Sequence, residues 1–377
     1  MISTDLRRAI SRAVAAAGFA AAGDPGLRPT GTPGQYAASV ALTLGANPRE
    51  TAAALAARLQ AARWIARAEV TGPGYLTVTV TTETLAAVAD TITAAGPACV
   101  TSDALAGVTV TAAPPADPLA APTWEKARTA LAARLTARLA AAAGATVTDF
   151  VAAERNRLTL PPHPSSLDPL GLGVSRTRSE DSRAEPDAKP QPHVTEVAAA
   201  VAFAGRDAVT FTLARAIPGK PLRIDPQTIA RRVLGNPAYA VRYAHARAAS
   251  GLRWAATSSA ADTIGVAEAA ALLDALSWLP ERVASAARRG RPDEFARYLE
   301  DLASVTVDIL SSASHPGKGG PLGNGPKSGT SLAGHGGVSQ LTLAMAARTG
   351  LAAGLGLLEV SAPERLLATD TYKGSQT

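Results

Sequence analysis

The chain has 377 residues, 47% of them hydrophobic but only 4% aromatic. That length suits two or three domains of ~100–200 residues, and an alanine-rich composition points to helical, shallow cores. Lys+Arg number 37 against 31 Asp+Glu, a net charge of +6, which suits a polyanionic partner; arginine-, alanine- and proline-rich coding is the plainer source of the same excess. The single cysteine, Cys99, excludes an internal disulfide and a multi-cysteine zinc site and points to a reducing, cytoplasmic setting. Asp5 and Arg12 interrupt the N-terminal apolar run, which does not read as a secretion signal. No stretch reaches ~20 uninterrupted apolar residues, so no membrane partner is expected.

In chain order, Leu6, Ile10 and Val14 recur at helical spacing, predicting an amphipathic helix over 2–17 with Arg7, Arg8 and Arg12 towards water. A Gly/Pro-rich connector, 18–34, leads to a second helix expected over 35–44. Asn47, Pro48 and Glu50 supply a cap, a first-position proline and a capping-box acid for a third helix, with Leu55, Leu59 and Trp64 on its inner face. Glu69 and Val70 run into the turn Gly72-Pro73-Gly74, and 75–81 alternates apolar residues with threonine as a strand does. A short strand over 108–111 completes an α+β unit, 1–114.

The stretch GQYAASVALTLGANPRETAAALAARL…RAEVTGPGYLTVTV resembles the N-terminal additional domain of arginyl-tRNA synthetases, whose pattern is G-D-Y-A…N-P-R-E…V-x-G-P-G-F-I-N-F. The resemblance implies a contact with the elbow of tRNA around the D-loop. Tyr75 keeps the aromatic place, Gln35 replaces an Asp, and Thr77 stands where the family has the Asn that contacts a D-loop base. A strand aromatic packed on a helix is the alternative for Tyr75.

Trp124 to Ala143 is a predicted helix with Leu131, Leu135 and Leu139 on one stripe and Arg128, Arg134 and Arg138 as a solvated face. From Pro161 to Pro192 the composition turns to Pro, Ser and mixed charge, a linker in which Arg176 and Arg178 are read as solvated. The segment 115–193 is thus a helix plus linker. Order resumes with GRDAVTFTLAR, similar to the G-A-D-A-L-R-F-x-L-L-R stretch that ends the catalytic domain of the same family.

Adenylate formation needs cations on the triphosphate, which the family supplies with H-x-G-H and K-M-S-K-like motifs. His163, His193, His245, His315 and His335 form no H-x-G-H, and no Lys-x-Ser-Lys occurs. About 80 residues between Pro114 and Val194 are too few for a Rossmann-type domain, so the expectation is a chain that is not an enzyme and uses no cofactor or metal. Gly317-Lys318-Gly319 and Pro326-Lys327-Ser328 do not fit a P-loop; they lie in a Gly/Pro/Ser-rich loop, 311–337. Neither H-E-x-x-H nor G-x-S-x-G is present.

Helices are further expected over 236–256, 266–289 with Pro280 kinking or ending it, 293–311 and 338–359. In the first, Tyr239, Tyr243, Arg247, Ser250 and Trp254 fall within about 80° of one another, opposite Val241, Ala248 and Leu252. Asn236 is a natural N-cap for it. Trp254 reads as packing, and the basic end at Arg288, Arg289 and Arg291 as a phosphate contact or a complement to the helix dipole.

NPAYAVRYAHAR is similar to D-N-P-V-Y-Y-V-Q-Y-A-H-A-R of arginyl-tRNA synthetases, and LGLLEVSAPERL to their L-x-L-L-G-V-S-A-P-E-R-M. The fold expected from this is mainly α with a small α+β N-terminal domain, and 194–377 forming a helical bundle of the DALR anticodon-binding type. Asn236, Tyr239, Tyr243, His245 and Arg247 match the family's hallmark helix, part of which faces the anticodon stem-loop; Arg242 replaces its Gln. These residues and Tyr75 are the expected RNA-binding set and tRNA the expected partner, through stacking of unpaired bases on rings and guanidinium pairing. Core packing is the alternative for the two tyrosines, helix capping for Asn236 and a structural role for His245. A protein partner in place of RNA is the alternative function.

Overall fold

Alanine-rich helices build most of the protein, and one four-stranded antiparallel sheet lies at its N-terminal side. The computed structural model describes residues 1–20, 23–44, 47–112, 116–148, 195–255, 263–312 and 337–366. The linker read over 161–192, with Arg176 and Arg178, and nearly all of the 311–337 loop lie outside the described residues.

Helix α1 (Ile2–Ala16) buries Leu6, Ile10 and Val14 completely. Strands β1 (Leu27–Pro29), β2 (Gln35–Ala38), β3 (Ile65–Thr71) and β4 (Tyr75–Val80) make the sheet in the order β1-β2-β4-β3. The helix expected over 35–44 is a correction: the chain forms β2 and then the single turn α2 (Ala41–Leu44). Burial alternates along β2, with Tyr36 and Ala38 inward, and Tyr36 sits opposite Val78 of β4. Pairing and burial of a large ring outweigh the helical preference of the alanines around it.

Helix α3 (Pro48–Leu59) starts as its sequence predicts, with the Asn47 side chain accepting from the Glu50 N–H at 3.5 Å. The Gly72-Pro73-Gly74 turn joins β3 to β4, and Arg49 donates to the Gly72 carbonyl at 3.1 Å. Gly74, at φ 138°, lies so close to α3 that a Cβ would come within 2.7 Å of Pro48. The N-P-R-E and G-P-G motifs therefore form one packed unit. Helices α4 (Thr82–Ala86) and α5 (Val88–Ala95) follow.

Strand β5 (Thr109–Thr111) pairs in parallel with β6 (Thr146–Thr148) beyond helix α6 (Trp124–Ala142), and not with the four-stranded sheet. Along α6, Leu131, Leu135 and Leu139 are buried. The expected solvated arginines of this helix are instead tethers. Arg128 donates to the Ile217 and Lys220 carbonyls, Arg134 pairs with Glu359 at 2.6 Å, and Arg138 reaches the Gly356 carbonyl at 2.9 Å.

The remaining helices are α7 (Glu196–Ala204), α8 (Arg206–Arg215), α9 (Pro226–Ile229), α10 (Pro237–Ala255), α11 (Val266–Ser277), α12 (Leu279–Arg289), α13 (Pro292–Ser312) and α14 (Gln340–Leu357). Strands β7 (Thr263–Gly265) and β8 (Gly337–Ser339) pair antiparallel beside α11 and α14. The chain breaks between α11 and α12 at Trp278, with Pro280 in the first turn of α12, where its missing N–H costs nothing. Helices α10, α13 and α14 pack on one another, and α6 packs on α8 and α12. Gly354 lets α14 approach α13, since a Cβ there would fall 2.5 Å from the Leu299 side chain. Glu359 follows α14 at φ 60°, where the family pattern has Gly; the left-handed conformation costs a side chain roughly 1–2 kcal/mol, and its ion pair with Arg134 opposes that cost.

The sheet docks on the α11–α12 junction. Ser277 Oγ donates to the Asp274 carbonyl and accepts from the Tyr36 hydroxyl, both at 2.8 Å. The Gly34 N–H donates to the Asp274 carboxylate at 2.9 Å, and the Tyr36 and Trp278 rings meet at 5.1 Å. Arg7, expected in water, is largely buried here: it pairs with Asp24 at 3.1 Å and with Glu281.

Candidate nucleic-acid interface

Helix α10 turns Val241, Ala244 and Ala248 fully inward, and Tyr239, Tyr243, Arg247 and Ser250 lie partly exposed on the other side. This division follows from the 100° step of the helix, which groups residues four apart. Tyr239 and Tyr243 stack along it with ring centroids 5.9 Å apart and planes inclined by 23°. Trp254, expected to pack, is 74% exposed one turn beyond Ser250; it extends the ring-bearing face rather than the core. Such rings offer stacking surfaces worth ~1–3 kcal/mol per base.

The other predicted residues of the hallmark helix are placed differently. His245 is 2% exposed, and its Nδ1–H donates to the Pro363 carbonyl at 2.9 Å. Burial lowers its pKa below the usual 6.5, against the opposing pull of that carbonyl, so the ring is held neutral. Asn236 is 8% exposed and its amide donates to the Ile229 and Arg231 carbonyls, both at 2.7 Å. It holds the segment before the helix. Arg242 pairs with Asp207 at 3.2 Å and reaches the Ser361 hydroxyl, and its Nε is buried with no hydrogen-bond partner among the described residues.

The S-A-P-E-R segment is thereby fastened to α10. Asp207 accepts from the Ser361 N–H at 3.1 Å and from its hydroxyl, Arg253 donates to the Glu364 carbonyl at 3.3 Å, and Arg348 pairs with the Glu364 carboxylate. The two strongest sequence motifs of the C-terminal half, over 100 residues apart, meet in one place.

Beside this junction, between α7, α8, α9 and the start of α10, lies a groove of about 820 Å³. Phe203, Arg206, Arg231, Arg232, Tyr239 and Arg242 are among its lining. Phe203, Arg231 and Arg232 were not among the residues the sequence singled out. The signal for Phe203 was its place out of step with the buried stripe Val197 and Ala200 of α7; it is 46% exposed.

In the N-terminal module Tyr75 lies half-buried at the start of β4. Thr77 is buried and shares a 2.8 Å hydrogen bond with Thr71 across the hairpin. The basic end of α12 is neutralised by neighbours: Arg288 bonds Asp24 and Glu281, Arg289 pairs with Glu294 at 3.2 Å, and Arg291 with Asp293 at 2.7 Å. Cys99 is buried, which raises its pKa to about 11 and keeps it a thiol. Among the described residues, no cluster of His, Cys, Asp or Glu could hold a metal ion and no helix is long and apolar enough to cross a membrane.

Residues 4–80 match the arginyl-tRNA synthetase N-terminal domain, and residues 241–314 match the DALR anticodon-binding domain. The arginine–tRNA ligase of Frankia alni is 35% identical over 170 residues, 43% of this chain and 29% of that protein. That of Micrococcus luteus is 32% identical over 186 residues, 46% of this chain and 32% of the relative. The matches thus span about a third of the relatives' length. The solved Thermus thermophilus arginyl-tRNA synthetase shares the fold at a TM-score of 0.58 and 15% identity, with 97% of this chain and 100% of that one covered.

These relatives overturn one expectation. The chain was expected not to be an enzyme, yet the proteins it matches are named arginine–tRNA ligases and the matching structure is a synthetase. The expectation rested on missing short motifs and on a middle segment of which 149–194 lies outside the described residues.

Proposed function

We propose that the chain binds tRNA, with α10 and the surrounding bundle taking the anticodon arm, in the service of arginyl-tRNA formation. The observation that carries this reading is the stacked Tyr239–Tyr243 pair on the open face of α10, continued by Trp254, on the helix where the DALR match begins. Stacking of splayed loop bases on rings is how proteins read single-stranded RNA. Arg247, on the same face, adds a cation for the phosphates. His245 and Asn236 act indirectly, holding the S-A-P-E-R segment and the approach to α10 in place.

The division of labour in this reading is 194–377 for the anticodon arm, 1–114 for a smaller contact at the tRNA elbow through Tyr75, and 115–193 as the connection. Filter binding of arginine tRNA at low and high salt tests it, alongside aminoacylation of the same tRNA. Salt-dependent binding supports the proposal; no binding even at low salt, where phosphate contacts are strongest, overturns it.

A further inference from the structure

We infer that the groove between α7, α8, α9 and the start of α10 is a pocket for one unstacked RNA nucleotide, distinct from the Tyr243–Arg247 face. This rests on the RNA-binding reading above and adds a second contact to it. The volume, about 820 Å³, is that of a small-molecule site, ~300–1,000 Å³. Phe203 and Tyr239 both line it, and Phe203 is 46% exposed. Two aromatic side chains in one groove form a stacking site for a base, which every base satisfies through its π-face.

The polar part of the lining suits a nucleotide rather than a purely apolar occupant. Arg231 is exposed at the groove and offers charge to a phosphate. Arg206 and Arg242 also line it, but each is held by a carboxylate: Arg206 by Asp117 at 2.9 Å and Arg242 by Asp207 at 3.2 Å. Those ion pairs fix the guanidinium of Arg242 in the wall. Its Nε is buried, without a partner among the described residues, so Arg242 shapes the wall rather than donating to an occupant. Tyr243 and Arg247 do not line the groove. A base held here therefore belongs to a different nucleotide from any stacked on the Tyr243 face.

The test uses an RNA hairpin with the sequence of an arginine-tRNA anticodon arm, carrying 2-aminopurine at one loop position at a time. Stacking quenches the fluorescence of this base. The full chain should quench one loop position strongly, Phe203→Ala should relieve that quenching and weaken the hairpin about ten-fold, and Tyr243→Ala should weaken binding while leaving that position quenched. Phe203 is exposed enough for the variant to fold. If the hairpin binds wild type and no quenched position responds to Phe203→Ala, the pocket is overturned while RNA binding stands. If the hairpin does not bind at low salt, the RNA reading falls, and the pocket with it.

Discussion

The β3–β4 hairpin and helix α10 both resemble tRNA-contacting parts of synthetases, but they present different surfaces. At the hairpin, Thr77, which takes the place of the family's base-contacting Asn, is buried and spends its hydroxyl on Thr71, leaving Tyr75 half-buried at the bend. On α10 the hydrogen-bonding candidates His245 and Asn236 are also consumed internally, yet the rings of Tyr239, Tyr243 and Trp254 remain along one side. A motif thus marks two kinds of residue, those that build the surface and those that face outward. Only burial and hydrogen-bond partners separate them.

The contrast predicts a graded loss of tRNA affinity. The double substitution Tyr239→Ala/Tyr243→Ala should cost most, ten-fold or more at ~1–3 kcal/mol per stacked base, by filter binding with melting temperature as the folding control. Arg247→Ala should cost less and reduce the salt slope of binding by about 1; an unchanged slope would remove Arg247 from the phosphate contacts.

His245 should register in stability rather than contact. Its folded pKa lies below 6.5 because burial disfavours the imidazolium, so the unfolded chain binds the proton more readily. The stabilisation is full above about 6.5, falls as the pH drops below that value, and is lost once the pH passes the folded pKa. His245→Asn keeps a donor near the Pro363 carbonyl and does not titrate, so its melting temperature should fall less between pH 7 and pH 5 than that of the wild type. Tyr75→Ala should be the smallest effect on tRNA, about three-fold or less, because a half-buried ring at a bend offers one partial face. A loss matching that of the tyrosine pair would reverse the ranking of the two regions.

Local signals were legible in the sequence where neighbours decide the outcome. The Asn47 cap and Pro48 start α3, and Pro280 marks the break between α11 and α12. The division of α10 into a packed side and a ring-bearing side also followed from spacing alone. Illegible were features fixed by distant partners. Strand β2 exists because Tyr36 pairs into the sheet and docks on Ser277 and Trp278, 241 residues on in the first case. Arg7, Arg134 and Arg288 read as solvated or phosphate-facing until Glu281, Glu359 and Asp24 come beside them. The groove escaped notice for the same reason: four short segments form it, and none carries a motif for it.

Ultraviolet cross-linking of bound arginine tRNA, with the joined peptide and nucleotide both identified, tests the central claim most directly. Cross-links should join the peptide spanning 237–255 to nucleotides of the anticodon arm. Cross-links confined to the β3–β4 hairpin, or to tRNA regions outside that arm, would contradict it.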